Sequence, residues 1–200
     1  MSFYKSPSTL KTALFTMLLF FGLQNALLAQ HEEFKQKIAA YTEAKAAEFE
    51  KKYLNETEPK YGELNNTNFE FHDYFLLRAK EKTVNNIGNN VKLKYDYSFF
   101  AYESAEECDY ALSFWFKNFL EAKRITPGRD VKTYKGANPT IIIVNKTEIC
   151  VLSLSCADYD ADIFRAMRKE MLTYFGSPES MIIEMGCDGP LQWTKNPPDP

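Results

Sequence analysis

The chain has 200 residues, a formal net charge of −3, 45% hydrophobic residues, four cysteines and two histidines. The mildly acidic balance excludes the basic, domain-wide footprint of a nucleic-acid binder. With two histidines and no G-x-S-x-G, zinc-ligand spacing or glycine-rich phosphate loop, the common hydrolytic, metal and nucleotide sites are poorly supplied, and neither cofactor nor metal is expected.

Residues 1–29 carry Lys5 and Lys11 ahead of an apolar run from Ala13 to Leu23, which Gln24 and Asn25 interrupt. This is the n-region and h-region of a signal peptide, and it is too short to read as a membrane span. Cleavage is expected after Ala29, giving a secreted or periplasmic product; only an uncleaved segment would hold the domain at a membrane. Because Gln30 and not a cysteine follows, no lipid attachment is expected. Lys5 and Lys11 are the only charges removed, so the net charge passes from −3 to −5. About 170 residues then remain, enough for one domain with a real core.

Residues 30–66 read as an N-terminal helix and linker. Phe34, Ile38 and Tyr41 fall at helical spacing and form a thin apolar stripe over 31–57. Over 69–84, Phe71, Phe75, Leu76 and Ala79 favour a helix, while Phe69, Phe71, Phe75 and Leu77 also permit a strand. From Val91 to Phe99 apolar residues alternate with polar ones, the period of a strand buried on one face. Ser104 and Glu107 then form a capping box for a helix to about Ala122, with Cys108, Leu112, Trp115 and Phe119 on its apolar face. Thr140–Val144 and Ile149–Cys156 flank Asn145-Lys146 and read as a tight hairpin. A helix follows the acids at 158–162 and ends at Gly176 and Pro178, and Met181–Met185 is a last strand.

The order strand, helix, strand, strand, helix, strand over residues 67–190 matches a ferredoxin-like split βαβ sandwich, so the expected class is α+β. Both helices should then cover one sheet face, with residues 31–84 partly covering the other. Residues 191–200 read as a Pro-rich tail.

Four cysteines in an exported chain suggest two disulfides. Under this topology the expected pairs are Cys108 with Cys150 and Cys156 with Cys187. A thiol-redox role has weak support, since there is no C-x-x-C. Asp158, Asp160 and Asp162 resemble the start of a calcium loop, but Ile163 occupies the position that needs glycine and Glu170 falls one place late. Helix capping explains these acids better. Arg124, Arg129, Lys132 and Lys135 surround Pro127-Gly128 in a long loop, a candidate anion-binding or partner-docking surface. Asn55, Asn65 and Asn145 lie in glycosylation sequons.

The function these features suggest is a disulfide-stabilised, non-catalytic binding module for a protein or small-molecule ligand, using an open sheet face with aromatic residues or the basic loop. The alternatives are an extracytoplasmic enzyme in which Asp158, Asp160 or Glu184 works with Tyr134, and a thiol-redox protein.

Overall fold

The computed structural model describes residues 31–53, 64, 69–123, 138–187 and 191–195. The expected signal peptide, Asn55, Asn65, Tyr134 and the basic loop with Arg124, Arg129, Lys132 and Lys135 lie outside the described residues.

The fold is mixed α+β. Helix α1 covers residues 31–45, and the chain turns at 46–48 into β1 (Phe49–Tyr53). Then come β2 (Phe69–Ala79), the short strands β3 (Thr83–Val84) and β4 (Asn90–Val91), β5 (Lys94–Tyr102) and α2 (Ala105–Lys123). Strands β6 (Thr140–Val144) and β7 (Glu148–Leu154), a short turn of helix at Cys156–Asp158, α3 (Ala161–Phe175), β8 (Met181–Met185) and β9 (Leu191–Lys195) complete it. Among the described residues, seven strands form one antiparallel sheet in the order β1-β2-β5-β7-β6-β8-β9, and β3 pairs with β4 in a separate hairpin.

Three local expectations are corrected. Residues 69–79 form a strand, because Phe75 and Leu77 alternate into the core and Phe71 to Arg78 pair continuously with β5. Likewise the helix expected through residue 57 ends at 45, and Phe49 to Tyr53 add an edge strand to β2. The first part of the supposed tail is β9, paired with β8.

The ferredoxin-like arrangement is not the one adopted. The strand-helix-strand-strand-helix-strand order is present, but the four strands stand as β5-β7-β6-β8. Helix α2 joins β5 to β6 across β7, and α3 joins β7 to β8 across β6. Both crossovers step the same way across the sheet from strands that run oppositely, so right-handed connections carry their helices to opposite faces. The packing agrees. Cys108, Ala111, Leu112 and Trp115 of α2 lie with Ile142, Ile149, Val151 and Ile183. Phe164, Met167, Met171 and Phe175 of α3 lie with Ile141, Ile143, Leu152 and Ile182 on the other side.

Helix α1 shares the α3 face and is part of the core. Phe34, Ile38 and Tyr41 are buried, and Phe34 meets the rings of Phe71, Phe99 and Phe175 edge-on at 6.1 to 6.3 Å. The thin stripe suffices because aromatic residues on β2, β5 and α3 surround it, each such pair adding about 0.5–1.5 kcal/mol beyond area burial. The Tyr41 and Tyr97 hydroxyls share a buried hydrogen bond of 2.6 Å. Burial, ahead of every electrostatic influence, raises the pKa of both groups.

Replacing Tyr41 by Phe leaves the Tyr97 hydroxyl without that partner and is expected to cost about 1–3 kcal/mol. Urea unfolding should show that Tyr41→Phe together with Tyr97→Phe costs less than the two single changes added. Because folding raises both phenol pKa values, their protonated form stabilises the native state fully below the unfolded value of about 10, and that contribution is lost as pH rises above it. Stability should therefore fall from about pH 10 upward in the native chain, and the double Phe variant should show a shallower alkaline loss; equal slopes would contradict the assignment.

Candidate functional site

At the end of the sheet where β2 finishes and β5 begins, the α1–α3 layer leaves a cleft of two adjoining cavities. The outer one, about 590 Å³, lies between the turn after α1, the end of β2, the β3–β4 hairpin and the start of α3. The inner one, about 310 Å³, lies over β5 beside α3. Glu48, Phe49, Leu93 and Ile163 line both, so the two form one continuous concavity.

Local chemistry builds each wall. Asn85 organises the hairpin: its Oδ1 accepts from the amides of Ile87 at 3.3 Å and Asn89 at 2.9 Å. Gly88 supplies the left-handed turn residue with φ of 81°. The hairpin docks on the turn after β7, where the Asn86 amide donates to the Ala157 carbonyl at 3.2 Å and the Asn86 side chain donates to the Tyr159 carbonyl. That turn is fixed by the Cys156–Cys187 disulfide, whose Cα atoms are 5.4 Å apart. The crosslink forms because β7 and β8 run the same way and each cysteine lies two residues past the end of its strand. Across the cleft, the Lys80 amide donates to the Glu48 carbonyl at 2.9 Å, and Lys80 Nζ donates to the Ala46 carbonyl at 2.6 Å.

The inner cavity has an aromatic and aliphatic floor. Tyr95, Leu77 and Met167 are buried there, and Lys45 is ion-paired with Glu170 at its side. Tyr95 is only 3% exposed, and its hydroxyl has no hydrogen-bond partner among the described residues. Burial first, then Asp158, Asp160 and Glu48, raises its pKa to about 12, so it stays a protonated phenol at neutral pH.

The acids singled out from the sequence separate. Asp158 and Asp160 line the outer cavity, and Asp160 Oδ1 caps α3 by accepting from the amides of Asp162 and Ile163, both at 2.9 Å. Asp162 is exposed and pairs with Arg165 at 3.1 Å. Glu184 is elsewhere, on β8, in an ion pair with Arg168 at 2.6 Å. No group of three or more metal-ligating side chains occurs among the described residues.

The expected Cys108–Cys150 bond is a correction. Both thiols are free and buried, Cys108 against α2's face of the sheet and Cys150 on the α1–α3 face. The sheet stands between them, which the assumption of two helices on one face had hidden. Burial pushes the Cys108 thiol up to about 12 and raises the Cys150 thiol as well, the opposite of an activated nucleophile. Asn145 is likewise an internal tie: its amide donates to the Phe175 carbonyl at 2.9 Å, and its Oδ1 accepts from Ser180 Oγ at 2.5 Å. The expected open sheet face is filled over the central strands by α2.

The cleft itself was missed from the sequence. Its available signal was the run Asn85-Asn86-Ile87-Gly88-Asn89-Asn90, a cluster of turn-forming residues beside the alternating strand. Comparison of the chain with protein-family models, curated proteins and solved structures finds no match.

Under native conditions Cys108 and Cys150 should resist a thiol reagent and react after unfolding, while peptide mapping finds a single Cys156–Cys187 link. A mapped Cys108–Cys150 link would overturn this assignment. Reducing Cys156–Cys187 should lower stability by about 2–4 kcal/mol in a denaturant titration.

Proposed function

We propose that the protein is an exported, disulfide-stabilised binding domain without catalytic activity, and that the two-part cleft under the β3–β4 hairpin is its ligand site. The supporting observation is the cleft: an apolar concavity of small-molecule size that carries a few convergent polar groups. The Cys156–Cys187 disulfide supports export, because such crosslinks persist in oxidising compartments, and it braces one wall of the site.

A binding role accounts for the polar groups better than catalysis does. Asp158 and Asp160 line the cleft together, but Glu184 is neutralised by Arg168 away from it, so the three carboxylates of the enzyme reading do not all meet at one site. The two free thiols are buried on opposite sheet faces, an arrangement that disfavours a redox pair. The ligand the cleft suits is a small molecule with an apolar portion, entering between the turn after α1 and the hairpin.

The neutral apolar fluorophore N-phenyl-1-naphthylamine should bind the secreted protein saturably at one site. Ala166 lines the inner cavity from the exposed side of α3, so Ala166→Trp should block the opening with little change in melting temperature. Binding should weaken at least tenfold. Undiminished binding in that variant would place the apolar site elsewhere and sink the reading.

A further inference from the structure

The charge around the cleft is unbalanced and points to a class of ligand. Glu48, Glu81, Asp158 and Asp160 line the outer cavity against Lys80 and Lys82. Lys80 is committed to the Ala46 carbonyl, where its ammonium caps the chain leaving α1. In the inner cavity Lys45 is neutralised by Glu170, so it adds no free positive charge. The exposed residue Glu48 has no ion-pair partner among the described residues.

The helix ends at the cleft are already met: Lys80 Nζ donates to the Ala46 carbonyl at the C-terminal end of α1. The positive end of α3 lies opposite, but two of its leading amides already donate to Asp160 Oδ1. Tyr95 adds a polar group within the apolar floor: it is nine-tenths buried, lines the inner cavity and has a hydroxyl with no hydrogen-bond partner among the described residues. A protonated phenol oxygen can accept a hydrogen bond from an ammonium while its ring packs against the ligand's apolar part.

Resting on the binding reading above, we propose that the cleft takes a small amphiphilic cation. Its ammonium group meets Glu48, Asp158 and Asp160, its donor reaches the Tyr95 hydroxyl, and its aromatic or branched aliphatic body lies against Phe49, Leu93 and Met167. An anionic ligand of the same shape is disfavoured, since it would face the carboxylates with Lys82 as its main compensating charge. The outer and inner cavities together separate the two halves of such a molecule, polar outside and apolar inside.

The test is an NMR titration of the isotopically labelled full chain, as its host processes it, with three probes sharing one ring: phenethylammonium, 2-phenylethanol and phenylacetate. Phenethylammonium should shift the amides of Glu48, Tyr95 and Ile163 saturably, with a Kd at least tenfold below that of either other probe. Glu48→Gln and Tyr95→Phe should each weaken phenethylammonium several-fold and leave 2-phenylethanol unchanged. If 2-phenylethanol or phenylacetate binds the same residues as tightly as the ammonium, the cationic assignment is overturned and the apolar binding site stands. If none of the three perturbs the cleft while N-phenyl-1-naphthylamine binding is also insensitive to Ala166→Trp, both readings fall.

Discussion

Strands β6 and β7 are buried on both faces at every residue, from Thr140 to Val144 and from Glu148 to Leu154. A strand pair of this kind cannot sit in a two-layer sandwich with one wet face, because the exposed side would leave Ile142, Val144, Ile149 and Val151 in water. Burying a side chain of that size is worth about 1.5–3 kcal/mol, so four left uncovered would consume much of a domain's net stability. The sheet therefore needs helical cover on two sides, and the two crossovers supply it by sending α2 and α3 to opposite faces.

That division leaves unequal tasks. The α2 face needs cover mainly over the central strands. The other face also presents Phe71, Phe75, Leu77, Tyr95, Tyr97 and Phe99 on β2 and β5, too wide a surface for α3 alone. Helix α1 fills the difference, and its end sets the position of the cleft: where residues 46–48 turn away, Phe49 and Leu93 are left partly buried beside open space. The hairpin carrying Asn85 and Gly88 walls this gap from the sheet's end, held against a turn that the disulfide fixes in place.

Elements whose periodicity is set by one neighbour were legible in the sequence. Ser104 caps α2 as expected, the Glu107 amide donating to its Oγ at 3.2 Å, the β6–β7 hairpin pairs Val144 with Ile149, and Asp160 caps α3. What was illegible depends on which face an element meets. Phe71 and Phe75 satisfy a helix and a strand equally well in isolation, and only pairing along β5 decides between them. The same loss of face information hid the separation of Cys108 from Cys150, whereas Cys156 and Cys187 were recoverable because their pairing needs only two strands running in the same direction. The carboxylates of the cleft were visible as residues, but their common location depends on the turn after α1 meeting the start of α3, which no local pattern encodes.

The two buried thiols carry a consequence for how the chain must be made. Four cysteines can join into two pairs in three ways, and two of those ways divert Cys156 or Cys187 from its native partner. Before the sheet assembles, separation along the chain favours the short Cys150–Cys156 loop over the native pair. Once β5, β6 and β7 have come together, the sheet separates Cys108 from Cys150 and leaves each sealed in its own layer, while the ends of β7 and β8 bring the remaining two within bonding distance. The sheet thus acts as a proofreading partition: assembly ahead of oxidation yields one crosslink and two protected thiols, and oxidation ahead of assembly traps chains that cannot close.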